Sequence, residues 1–105
     1  MVPVVLGFQP AESMVMLTFG SDPPFHARLD LPTRIADIGA MITALVDPAV
    51  HHRVPHALLV AYSTRARFAD RALLATARAL EKAGVGIIDR LRADGRRWFA
   101  VPSRP

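Results

Sequence analysis

The stretch from His56 to Tyr62 constrains the fold more than any other part of the chain. Its centre, Ala57-Leu58-Leu59-Val60-Ala61, is continuously apolar, too short for an ordinary helix, and bounded by Pro55 and Ser63. A run of that length without alternation is what a strand covered on both faces looks like. Ser63 or Thr64 then offers a side-chain oxygen to cap a helix that runs to Ala83 and stops at Gly84. Val85 to Arg92 resumes as a strand, Asp94-Gly95 makes a two-residue hairpin turn, and Arg97 to Val101 returns. A strand, a crossover helix and a second, parallel strand wind right-handed in nearly every known case. The stretch is an architectural signal and carries no chemistry of its own.

Upstream, Met14 to Phe19 is another nearly continuous apolar strand, and Gly20-Ser21-Asp22-Pro23-Pro24 after it is a turn. Phe25 to Leu31 alternates, with Phe25, Ala27, Leu29 and Leu31 on one side and His26, Arg28 and Asp30 on the other. That pattern predicts a strand with one wet face, paired antiparallel to its predecessor. Pro32-Thr33 opens a helix with Thr33 as its cap, and Ile35, Ile38, Met41, Ile42 and Leu45 share one helical face. Asp47-Pro48 ends that helix, and Ala49 to Pro55 connects it to the strand at His56. Val2 to Gly7 reads as a short apolar turn of helix, followed by a loop in which Pro10 suits a β-turn.

The expectation is a single α/β domain over residues 1–101, with 102–105 as a flexible tail. Its five-stranded mixed sheet has the order 2-1-3-4-5, strands three and four being parallel. Right-handed crossovers from strand two to three and from three to four travel the same way, so both long helices fall on one face. The alternative is a three-layer arrangement with the helices on opposite faces. Strands one and three are apolar on both sides: Val15, Leu17 and Phe19 point one way, Met14 and Met16 the other. The short Val2 to Leu6 segment can cover only part of the second face, and an apolar sheet face left open marks an interface, so a homodimer is expected.

Composition narrows the classes. At 105 residues and 51% hydrophobic, the chain can build one real core. It has no cysteine, which removes disulfides, thiolate metal sites and cysteine nucleophiles and suits a reducing compartment. With no basic-flanked apolar leader and no run long enough to span a bilayer, a cytoplasmic location is expected. The net charge is +4, and a basic surface invites polyanions.

Val2-Pro3, Leu6-Gly7-Phe8, Pro10, Glu12-Ser13 and Val15 resemble the opening of a largely actinobacterial family, domain-of-unknown-function family 4192. Asp30-Leu31-Pro32 and Gly95-Arg96-Arg97-Trp98 fall where that family has similar residues. Members continue beyond the tryptophan and are often acidic, whereas this chain stops at Pro105 and is basic. The resemblance implies the fold. It implies no activity, cofactor or catalytic residue.

Four groups of residues bear on chemistry. His51, His52 and His56 have some metal-ligand character, but Pro55 keeps His52 and His56 off one regular helix and no further ligands lie nearby, so no metal is expected. Gly84-Val85-Gly86 follows a helix and precedes a strand, the reverse of a dinucleotide fingerprint. Tyr62, Ser63, Thr64 and Arg65 lie at the carboxyl end of a central strand and the start of a helix, where free N–H groups attract anions; plain capping is the competing reading. Arg90, Arg92, Arg96 and Arg97 stand beside Trp98 and Phe99 on the last hairpin, a pattern suited to single-stranded nucleic acid or simply to a charged, soluble edge. Asp89 and Asp94 dilute that patch. The glutamates Glu12 and Glu81 are far apart, and no nucleophile elbow or phosphate loop occurs. The expected function is a non-catalytic interaction or assembly domain without a cofactor. The alternatives are nucleic-acid binding through the hairpin and small-ligand binding at Tyr62–Arg65.

Overall fold

The computed structural model describes residues 12–21 and 23–102. The helical turn expected at Val2 to Gly7 and most of the expected tail lie outside the described residues. In chain order the elements are β1 (Ser13–Phe19), β2 (His26–Asp30), α1 (Ile38–His51), β3 (His56–Tyr62), α2 (Ala66–Lys82), β4 (Gly86–Ala93) and β5 (Trp98–Ala100). The five strands form one sheet in the order β2-β1-β3-β4-β5. β1 runs antiparallel to β2 and β3, β3 parallel to β4, and β4 antiparallel to β5. The expected order and strand directions are those observed.

Strand alternation assigns each face. Met14 and Met16 of β1 and Ala57, Leu59 and Ala61 of β3 share one face through their register. They pack in one cluster with Ile38, Met41, Leu45 and Ala49 of α1 and Ala69, Ala72, Leu73, Ala77 and Leu80 of α2. Both helices therefore lie on that face, as right-handed crossovers dictate. Val15, Val60, Tyr62 and Ala93 form a second cluster on the opposite face, with Leu17, Leu58 and Leu91 against it. Among the described residues no helix packs there. The three-layer alternative is excluded.

Besides the cap of α2, element ends depart from the sequence reading at three points. Thr33 caps nothing: a single 3-10 turn, Ile35–Asp37, precedes α1, and Ile35 is exposed rather than part of the buried face. Pro48 does not end α1, which continues to His51. Proline costs the helix one hydrogen bond, but the last turn is held by Ala49 and Val54, both buried in the core. There the amide of Arg53, at φ 52°, donates to the Val50 carbonyl at 3.1 Å, and that of Val54 to Ala49 at 2.9 Å. This is a Schellman motif with arginine in the left-handed position. Thirdly, the hairpin turn sits one residue later than read: the Asp94 amide donates to the Arg97 carbonyl, leaving Gly95 and Arg96 at the tip, and Gly95 has φ 102°.

The predicted stop at Gly84 is present. Its amide reaches the Glu81 carbonyl at 3.0 Å and that of Val85 reaches Leu80 at 2.9 Å, with Gly84 at φ 95°.

Candidate functional site

The junction from β3 into α2 is closed from within the chain. Ser63 Oγ donates to Glu12 Oε1 at 2.8 Å and accepts the Arg65 N–H at 2.9 Å. The Thr64 N–H donates to Glu12 Oε2 at 3.2 Å. The carboxylate of Glu12 thus takes the amide that an outside anion would have used. Neither Ser63 nor Thr64 is the helix cap; that position falls to Arg65, without a side-chain cap bond. Arg65 turns back to the carbonyls of Pro32 and Thr33, at 3.5 and 3.2 Å, and its guanidinium lies 4.1 Å from the centre of the Phe68 ring. Glu12 itself is anchored by its carbonyl, which accepts the Leu31 N–H at 2.7 Å, and it sits at φ 48°. Sequence reasoning left Glu12 without a role, because 51 residues separate it from Ser63.

Tyr62 does not join this group. Strand alternation sends its side chain to the helix-free face, where its ring meets Trp98 edge-on at 6.0 Å. Its hydroxyl is buried and has no hydrogen-bond partner among the described residues. Burial pushes its pKa up to about 12.

The terminal arginines are likewise divided. Arg92 Nε donates to Asp70 Oδ1 of α2 at 2.8 Å, and its guanidinium lies over Phe99 at 4.2 Å. Arg90, two residues earlier, donates from Nε to the Val101 carbonyl at 3.1 Å. Arg96 and Arg97 are exposed at the turn, where their amides donate to Asp94 Oδ1, both at 2.9 Å. The amides of Arg97 and Arg96 hold the Asp94 carboxyl below its usual range. Trp98 pairs with Ala93 and so faces away from Arg92 and Phe99. The hairpin brings Arg96 and Arg97 together, ties Arg90 and Arg92 to other parts of the fold, and places Trp98 on the other side of the sheet.

His51 and His52 stack edge-on at the end of α1, with His52 also against Phe25, while His56 begins β3. Among the described residues no group of three or more His, Cys, Asp and Glu is placed to hold a metal ion. Nor is any helix among them long and apolar enough to cross a membrane.

The helix-free face offers a different kind of site. Val60 at its centre is 0% exposed, yet Phe19, Ile88 and Trp98 are 46%, 55% and 40% exposed. Ile88 stands out because the β3–β4 register slips: Ala57 pairs with Ile87 but Leu58 pairs with Asp89, leaving Ile88 as the extra residue of a bulge. Beside it across the sheet run Leu58, Leu17 and His26, one per strand in a single row. Where that row meets the hairpin end, an apolar hollow of about 270 Å³ is lined by Leu17, Thr18, Phe19, Pro24, Phe25 and His26. His26, Arg28 and Asp30 form a charged rim along β2.

No curated protein and no solved structure matches this chain. One protein family does, over residues 1–105, and it carries the description "domain of unknown function (DUF4192)". With the match spanning the whole sheet and both helices, the chain belongs to the DUF4192 family.

Proposed function

We propose that this domain is a non-catalytic interaction module that assembles as a homodimer through its helix-free sheet face. The observation that carries the reading is the exposed pair Phe19 and Ile88, joined across the same face by half-buried Leu17 and Leu58. Single exposed apolar residues are normal on a soluble protein, whereas a contiguous apolar strip beside a charged rim is the mark of an interface. A two-fold dimer is the commonest way to close one. The groups at the β3–α2 junction bond one another, which leaves less there for an outside anion. The tethering of Arg90 and Arg92 similarly weakens the nucleic-acid alternative. A cysteine-free chain suits the cytoplasm. Sedimentation velocity or light scattering coupled to gel filtration tests the reading: a mass of two chains that falls on dilution is expected. A folded monomer at every concentration up to high micromolar overturns it.

A further inference from the structure

The helix-free face is complementary to itself under one particular two-fold axis. At one end of the His26–Leu17–Leu58–Asp89 row, Ile88 projects from the bulge. At the other lies the apolar hollow bordered by Leu17, Phe19, Pro24, Phe25 and His26. Knob and hollow are thus on opposite edges of one row, at the same level along the strands. The charges follow the same division. Arg28 stands exposed on the β2 rim, where its guanidinium lies 3.7 Å from the Asp30 carboxylate, and Asp89 flanks Ile88 on β4.

Resting on the self-association reading, we infer that two copies stack these faces about a two-fold axis parallel to the strands and passing over the β1–β3 pair. Such an axis reverses the strand order of the second copy and leaves each residue at its own level. β4 of each copy then crosses β1 and β2 of the other. Ile88 of each copy enters the hollow of the other, and Asp89 of each comes opposite His26 of the other, with Arg28 two residues further along β2 and within reach of its long side chain. Both contacts occur twice, as an isologous interface requires. The hollow is large enough for a butyl side chain, and seating Ile88 in it selects this axis over a perpendicular one, which sets β4 against β4 and leaves the hollow unfilled.

The experiment is a charge-reversal series read by sedimentation equilibrium: the unaltered protein, Ile88→Asp, Arg28→Glu, Asp89→Arg, and Arg28→Glu combined with Asp89→Arg. All three positions are at the surface or its margin, and far-ultraviolet circular dichroism confirms that each variant is folded. Each single change is expected to raise the dimer dissociation constant by about tenfold or more. The double reversal should return most of that loss, and an equimolar mixture of the two single reversals should form a heterodimer. A dimer indifferent to Ile88→Asp and to the reversals, or reversals that do not rescue each other, overturns the proposed axis while leaving self-association standing. A monomeric unaltered protein overturns both.

Discussion

Two side chains decide most of the chemistry available to this domain, and each is governed by a hydrogen bond made or missing. Glu12 ties β1 to the start of α2 through the Ser63 hydroxyl and the Thr64 amide. Bonds to a charged acceptor outweigh neutral ones, so Glu12→Ala is expected to cost about 1–3 kcal/mol in urea unfolding. Glu12→Gln, which keeps an acceptor without the charge, should cost less. A Glu12→Ala variant as stable as the unaltered protein would show that the bonds contribute nothing. Tyr62 is the converse case: its buried hydroxyl lacks a partner among the described residues, so Tyr62→Phe removes a desolvated group and should stabilise by about 1 kcal/mol at neutral pH. The raised pKa also has a sign. Below pH 10 the phenol is protonated in folded and unfolded chains alike, and its burial adds no pH dependence. Between the ordinary value of 10.0 and about 12, only the unfolded chain ionises, so stability falls as pH rises. The slope is at most about 1.4 kcal/mol per pH unit. The difference between the unaltered protein and Tyr62→Phe should therefore widen in thermal melts between pH 10 and 12.

At the scale of elements, the two helices end in the same hydrogen-bonded motif, and only one of them announces it. Gly84 is read at sight as a helix stop because glycine reaches positive φ without a penalty. Arg53 occupies the equivalent place after α1 and pays for the left-handed conformation, so the sequence shows no stop there and Pro48 draws the boundary too early. The pair makes a matched test. Gly84→Ala meets open space, so its cost is purely conformational, about 1 kcal/mol. Arg53→Gly should do the opposite and raise the melting temperature, by somewhat less because glycine also loosens the unfolded chain. A destabilised Arg53→Gly would mean that the arginine side chain makes contacts that outweigh its backbone strain. Thr33 and Ser63 teach the same lesson about starts: both are good capping residues, but Ser63 is occupied by Glu12 and Arg65, and the chain reaches α1 through a 3-10 turn.

Across the whole molecule the two sheet faces carry unequal loads. Leu59 lies in the cluster that includes both helices, and Val60, its neighbour, in the small cluster opposite. Leu59→Ala should cost about 2–5 kcal/mol, and Val60→Ala less, since fewer methyl groups are lost against fewer neighbours. Urea midpoints at a common slope would check the order. The sequence by itself determined the strands, because apolar runs such as Ala57–Ala61 and the alternation of β2 are local patterns with a period of two. It also determined the sheet order, because the two most apolar strands, the first and third, belong at the centre, and the single helical layer, because crossover handedness follows from chain chirality. Tertiary structure alone decided which carboxylate fills the β3–α2 junction, since Glu12 and Ser63 meet only after β1 pairs with β3. It decided that Arg90 and Arg92 are tied down while Arg96 and Arg97 are exposed, because residues adjacent in sequence alternate between faces and turn. And it decided where the helix-free face stays open, because a one-residue slip in the β3–β4 register pushes Ile88 outward, and a register slip is a property of two strands together.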